Sequence, residues 1–248
     1  MTAQNQAAAQ HDSIVAMLAA VDVDFDRLEE LQGLANTPRF VAGWNMPGYM
    51  PESDPASFGD VSDACEYIAD EMESEADQIE PDAENPEGSD FEQIAQDRVT
   101  ASALREAAET VRSIGAECGA TVGQYHYWIT QEGTMLDAEP GLREEFEELT
   151  AAANGCTSED EAREALDSDP LSVEFRSGWS TDRTGLEAEE FCILLCTGGP
   201  AVRIVGELDQ YGEPGRAWME YQDWGTPWTQ YHGADSAVLV QYASNFIA

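Results

Sequence analysis

Apolar residues in the first third of the chain recur every three to four positions, the spacing of one helical face. Ile14, Val15, Leu18 and Val21 carry the first run, and Phe25, Leu28, Leu31 and Leu34 carry a second. Gly33 and then Thr37-Pro38 close it. Residues 39–44 read as a short strand, followed by an aromatic, proline-rich loop over 45–51. The spacing then predicts a long helix over Val61–Ile79, a linker of Pro, Gly and acids over 82–89, and a second amphipathic helix. Phe91, Ile94, Ala101, Leu104, Ala108 and Val111 share one face of that helix. Residues 124–130 alternate in strand fashion, with Tyr125, Tyr127 and Ile129 against Gln124, His126 and Trp128.

Past Gly133 the pattern changes. Two acid-dense helices are expected over 141–149 and 158–166. Four strands follow, over 171–175, 190–196, 201–207 and 216–221, separated by Gly- and Pro-containing turns of the kind that joins an antiparallel meander. A closing helix over 236–246 offers Val238, Leu239, Tyr242 and Phe246 to the sheet. The fold class is therefore α+β. An acidic, mainly helical part with short strands spans 1–135, and an antiparallel meander covered by a helix lies within 140–248.

Charge sharpens this picture. The chain has 50 carboxylates against 11 arginines, no lysine, and a formal net charge of −39. Such a surface repels nucleic acid and anionic membranes and attracts basic proteins through a salt-sensitive field. The acid is uneven: residues 40–97 hold 17 acids and no base, whereas 191–248 hold six acids and two arginines. With 42% apolar residues the chain still builds a core. Five scattered cysteines, no apolar run long enough to span a bilayer and no basic leader suggest a reduced, cytoplasmic protein.

Within the predicted helix over Val61–Ile79 and just beyond it, Asp63, Glu66, Asp70, Glu73, Asp77 and Glu80 fall at spacings that place all six on one face. Each like-charge pair one turn apart costs a few tenths of a kcal/mol. Neutralising Asp70, Glu73 and Asp77 is therefore expected to leave the helix no less stable. A helix chosen for stability alone would interleave bases, so the stripe is the leading candidate for a partner-binding face. The plain alternative is a solvated face.

Chemical motifs are sparse. Asp22-x-Asp24-x-Asp26 opens like a calcium loop, but Arg27 replaces the required glycine and Gly33 the closing glutamate. Cys192 and Cys196 would share a strand face, without a second Cys or His pair at zinc spacing. No phosphate loop, dinucleotide fingerprint or nucleophile elbow occurs. Neither a catalytic residue nor a cofactor or metal site is expected. The run 221–231 is rich in rings. It reads as a packed loop or, with Trp224 and Trp228 as anchors, as a hot spot for a protein partner.

The strings Cys192-Ile-Leu-Leu-Cys-Thr-Gly-Gly-Pro-Ala-Val-Arg-Ile-Val-Gly-Glu-Leu-Asp209 and Arg216-Ala-Trp-Met-Glu-Tyr-Gln-Asp-Trp-Gly-Thr-Pro-Trp228 resemble small acidic proteins of proteobacterial plasmids, integrative elements and phages. So does Asp169-Pro-Leu-Ser-Val-Glu-Phe-Arg-Ser-Gly-Trp179. The likeness covers roughly 155–248. Phe40-Val-Ala-Gly-Trp-Asn-Met-Pro-Gly-Tyr-Met-Pro-Glu52 is similar to another element-borne protein, which implies a fusion. The resemblance implies the company of restriction and CRISPR inhibitors, many of them acidic. The expected function is a non-enzymatic inhibitor that binds a basic, nucleic-acid-handling host defence protein or ribonucleoprotein complex by nucleic-acid mimicry. It would make no direct nucleic-acid or membrane contact. The alternatives are a salt-adapted cytoplasmic protein and a factor that disassembles its target.

Overall fold

The computed structural model describes residues 2–48, 54–80, 91–179 and 187–247. The linker expected over 82–89 and the far end of the aromatic loop lie outside these residues. The described residues form an α+β fold with two antiparallel sheets. They divide into two compact units, one of residues 27–146 and one of 1–26 with 147–248.

In the unit of residues 27–146, β1 (Pro38–Asn45), β2 (Ala56–Phe58), β3 (Cys118–Val122) and β4 (Tyr125–Thr134) form a sheet in the order β2-β1-β4-β3. Period-two alternation turns Phe40, Ala42 and Trp44 of β1 and Tyr125, Tyr127 and Ile129 of β4 towards two long helices. These are α3 (Val61–Ile79) and α4 (Phe91–Ile114), lying against each other and on the sheet. Ala64, Ala69 and Ala76 of α3 and Ala101 and Ala108 of α4 are buried in their seam. Small side chains there let the helix axes approach closely. Ile68, Met72, Leu104 and Val111 fill the remainder. The preceding helix, α2 (Phe25–Asn36), buries Leu31.

The second unit is built on a five-stranded antiparallel meander: β5 (Ser172–Arg176), β6 (Glu190–Cys196), β7 (Ala201–Leu208), β8 (Pro214–Gln222) and β9 (Thr229–Tyr231), adjacent in chain order. One face carries Phe191, Ile193, Val202, Ile204, Ala217 and Met219, all buried. The expected closing helix, α7 (Ser236–Ala243), covers it with Leu239, Tyr242 and Ala243. Gly206 is required in β7 because the Phe191 ring occupies the space where a Cβ would stand.

The contacts draw a different boundary from the one expected near 135–140. Helix α1 (Ala3–Val21) packs on the meander, where Ala7, Ile14, Met17 and Leu18 join its core beside Leu166 of α6 (Glu159–Asp167). Periodicity shows which face of a helix is apolar, not which surface it will cover. A further helix, α5 (Leu142–Ala152), joins the stretches on either side of residue 146. The chain also pairs short segments whose sequences carry little strand signal. β2 has three residues, β3 contains a glycine, and β9 lies inside the ring-rich run read as a loop. No helix among the described residues is long and apolar enough to cross a membrane.

Candidate interaction surface

Helix α3 is capped by Asp60, whose carboxylate accepts the Ser62 N–H at 2.6 Å. Asp63 lies in the first turn, where the helix dipole favours negative charge. The rest of the stripe meets α4. Arg112 donates from Nε to Glu66 at 3.0 Å, from Nη2 to Asp70 at 2.7 Å, and from both terminal nitrogens to Glu73. Arg105 donates to Asp77 at 2.8 Å and to Glu80 at 2.6 Å. Five of the six expected residues are thus brought together, in two groups, by two guanidiniums.

The bases missing from α3 come from the neighbouring helix. Arg98, Arg105 and Arg112 stand seven residues apart. Glu66, Glu73 and Glu80, and likewise Asp63, Asp70 and Asp77, repeat with the same step. Seven residues is about two helical turns, so matching periods on two facing helices bring charges together repeatedly. That coincidence of periods was visible in the sequence. The expectation that neutralising Asp70, Glu73 and Asp77 only relieves repulsion is corrected accordingly, because those changes also strip partners from Arg112 and Arg105.

The arginines do not cover the carboxylates. Arg112 has 29% of its side chain exposed, while Asp70 keeps 66% and Asp77 keeps 75%. Two positive charges facing five negative ones leave the surface anionic. Hydrogen bonding from Arg112 holds the Glu73 carboxyl below its ordinary range, and the carboxylates hold Arg112 more firmly protonated. The result is an array of five carboxylates gathered by two guanidiniums.

A second flank of α3 is engaged with rings, which sequence reasoning missed. The Trp44 indole N–H donates to Glu71 at 3.0 Å, and the Tyr125 hydroxyl donates to Glu75. Burial, together with the bond to Glu75, pushes the Tyr125 hydroxyl up to about 12. Trp44, Tyr125 and Tyr127 pack edge-on or tilted, with ring centroids 6.3 Å apart. The four-residue step between Glu71 and Glu75 was the available signal.

Trp224 and Trp228 belong to the other compact unit, and they behave differently. Trp228 is half-buried under the Arg203 guanidinium, 4.1 Å from its ring centre. Arg203 in turn donates twice to Glu220, at 2.8 and 2.7 Å, and Glu220 also accepts the Trp218 indole N–H at 3.2 Å. Trp228 is therefore part of a structural stack. Trp224 is 78% exposed, with its indole lying across Gly199. Of the pair, Trp224 is the one presented to solvent.

The remaining motifs have local roles. A bulge between Leu194 and Cys196 shifts the register. Cys192, before the bulge, faces Arg203 and Glu220, whereas Cys196, beyond it, turns to the helix-covered core near Gln6. The two thiols do not share a strand face, because a bulge places two successive residues against one partner. All five cysteines are unbridged, and burial raises the Cys65, Cys118, Cys192 and Cys196 thiols. Asp22 caps the C-terminus of α1. Among the described residues no group of three or more His, Cys, Asp or Glu side chains is placed to hold a metal ion. No family model, curated protein or solved structure matches this chain.

Proposed function

We propose that this protein is a non-enzymatic, cytoplasmic inhibitor that binds the nucleic-acid-handling surface of a basic host defence protein or ribonucleoprotein complex. It does so by mimicking the nucleic acid, in the manner of the acidic proteins of mobile elements that its sequence resembles. The observation that carries this reading is the arginine-braced carboxylate array on α3. From Glu66 to Glu80 the array extends roughly 21 Å at the helical rise. Duplex DNA sets one phosphate about every 3.4 Å along a strand. The array is sparser, but its charges are held in place before a partner arrives, so less ordering opposes binding. Arg105 and Arg112 offset the mutual repulsion of the carboxylates without reversing the sign of the surface.

Salt adaptation is the second reading. It is favoured by the exposed acids on the other helices, among them Glu144 and Glu148 of α5 and Glu159 and Glu164 of α6. The two readings separate in a pull-down from host lysate at low and high salt, followed by competition with duplex DNA for the captured protein. Mimicry predicts capture at low salt, release at high salt and displacement by DNA. Salt adaptation predicts no DNA-competitive partner and a fold that requires molar salt.

A further inference from the structure

The antiparallel order of the meander brings the end of β5, the start of β6, the end of β7 and the start of β8 to one end of the sheet. A groove of about 990 Å³ opens there. Phe175, Trp179 and Tyr211 line it and are 53%, fully and 80% exposed. A surface that leaves three large rings in water at one cavity is unusual for a folded chain with a good core. Glu187, Glu189 and Asp209 also line the groove, and among the described residues no arginine or histidine lines it.

Backbone hydrogen bonds fix the chain at two of these acids, Glu189 and Asp209. The Glu189 N–H donates to the Arg176 carbonyl at 3.0 Å, and the Glu189 carbonyl accepts the Leu208 N–H at 2.8 Å. The Asp209 carboxylate accepts the N–H groups of Tyr211 and Glu213 at 2.8 and 3.0 Å, which fixes the turn presenting Tyr211. Exposed rings beside carboxylates select a cation with a flat, weakly hydrated face. Arginine has one: its guanidinium stacks on rings and bonds carboxylates in pairs, whereas the lysine ammonium is a compact, strongly hydrated charge.

We propose that this groove binds an arginine-bearing, basic peptide segment of the partner protein. The assignment rests on the reading that the partner is basic, and it adds a contact site separate from the α3 array. An anionic or nucleic-acid occupant is opposed by the carboxylates, and a purely apolar one would leave them desolvated and unpaired.

Fluorescence anisotropy of a labelled diarginine peptide against the full-length protein tests the assignment, with the dilysine peptide as comparison. The parent is expected to bind diarginine in preference to dilysine. The exposed pair of changes Trp179→Ala and Tyr211→Ala should weaken binding by about tenfold or more. Glu187→Gln with Glu189→Gln should weaken it and flatten its salt dependence. A charge-matched control away from the groove and from the α3 array, Glu144→Gln with Glu148→Gln, should bind the peptide like the parent. Circular dichroism of each variant confirms that it folds. No binding to the parent, equal binding of the two peptides, or parent-like binding by the groove variants would overturn the assignment. Loss in the charge-matched control alone would do the same while leaving the basic-partner reading intact. Peptide binding in the groove without any DNA-competitive protein partner would retain the groove and remove the mimicry.

Discussion

Arg112 donates to three carboxylates from one planar group, and its removal leaves Glu66, Asp70 and Glu73 facing one another with no counter-charge from that guanidinium. Arg112→Gln is expected to destabilise the protein by more than the ~1 kcal/mol upper range of a single exposed pair. The deficit should narrow in high salt, where the remaining repulsion is screened. Urea melts of parent and variant at low and molar salt measure both. Glu73 supplies the pH test. Its carboxyl is held low by Arg112, so the unfolded chain takes up this proton more readily than the folded one. The stability from the pair is fully present above the ordinary glutamate value of about 4.3 and is lost as pH falls through the lowered folded value. Glu73→Gln should therefore differ most from the parent near neutrality and converge with it in acid. A gap that stays constant in thermal melts from neutral to acid pH would show that the pair is not coupled to folding. Tyr242 provides a buried counterpart. Its ring is fully buried, its hydroxyl donates to Asp169, and burial with that bond raises its pKa. Tyr242→Phe should cost about 1.5–3 kcal/mol, the range for a hydrogen bond to a charged group, as read from chemical denaturation.

At the scale of elements, β5 to β8 and α7 were legible in sequence because those strands alternate and the turns between them carry Gly or Pro, whereas the three-residue β9 was not. The placement of α1 was not. Its apolar face is satisfied by a sheet that begins some 150 residues later, and nothing local encodes that pairing. Deleting residues 1–22 is expected to destabilise the meander, since Ile14, Met17 and Leu18 contribute roughly 1.5–3 kcal/mol each on burial. Hydrogen exchange should show lost protection in β6, β7 and β8. Unchanged protection there would show α1 to be dispensable to that core. The bulge at Cys196 was equally hidden, because strict alternation through Cys192 and Cys196 is what an unbroken strand would show. The α3 array was half legible. Its spacing was plain, but reading α3 alone made its acids look unopposed, and only the shared seven-residue step on α4 supplies the partners. Several other acids serve local structure: Asp60 and Asp235 cap helices, Asp137 accepts from Thr134 and Arg143, and Glu161 accepts from Thr157. A formal charge count therefore overstates the carboxylates free to meet a partner.

For the whole molecule, nucleic-acid mimicry requires a chain that folds in dilute buffer despite its charge and then uses that charge at long range. Neutralising Asp70, Glu73 and Asp77 removes repulsion and ion pairs together, so its effect on stability is a small difference of opposed terms. Its effect on association with a basic partner should be larger, mainly as a slower on-rate with a flatter salt dependence. The most direct test of the central claim is the equilibrium binding of the parent protein to its captured basic partner, titrated against duplex DNA at fixed low salt. Mimicry predicts mutual exclusion, with apparent affinity falling in proportion to DNA occupancy. A ternary complex, with protein and DNA bound together at undiminished affinity, would contradict it.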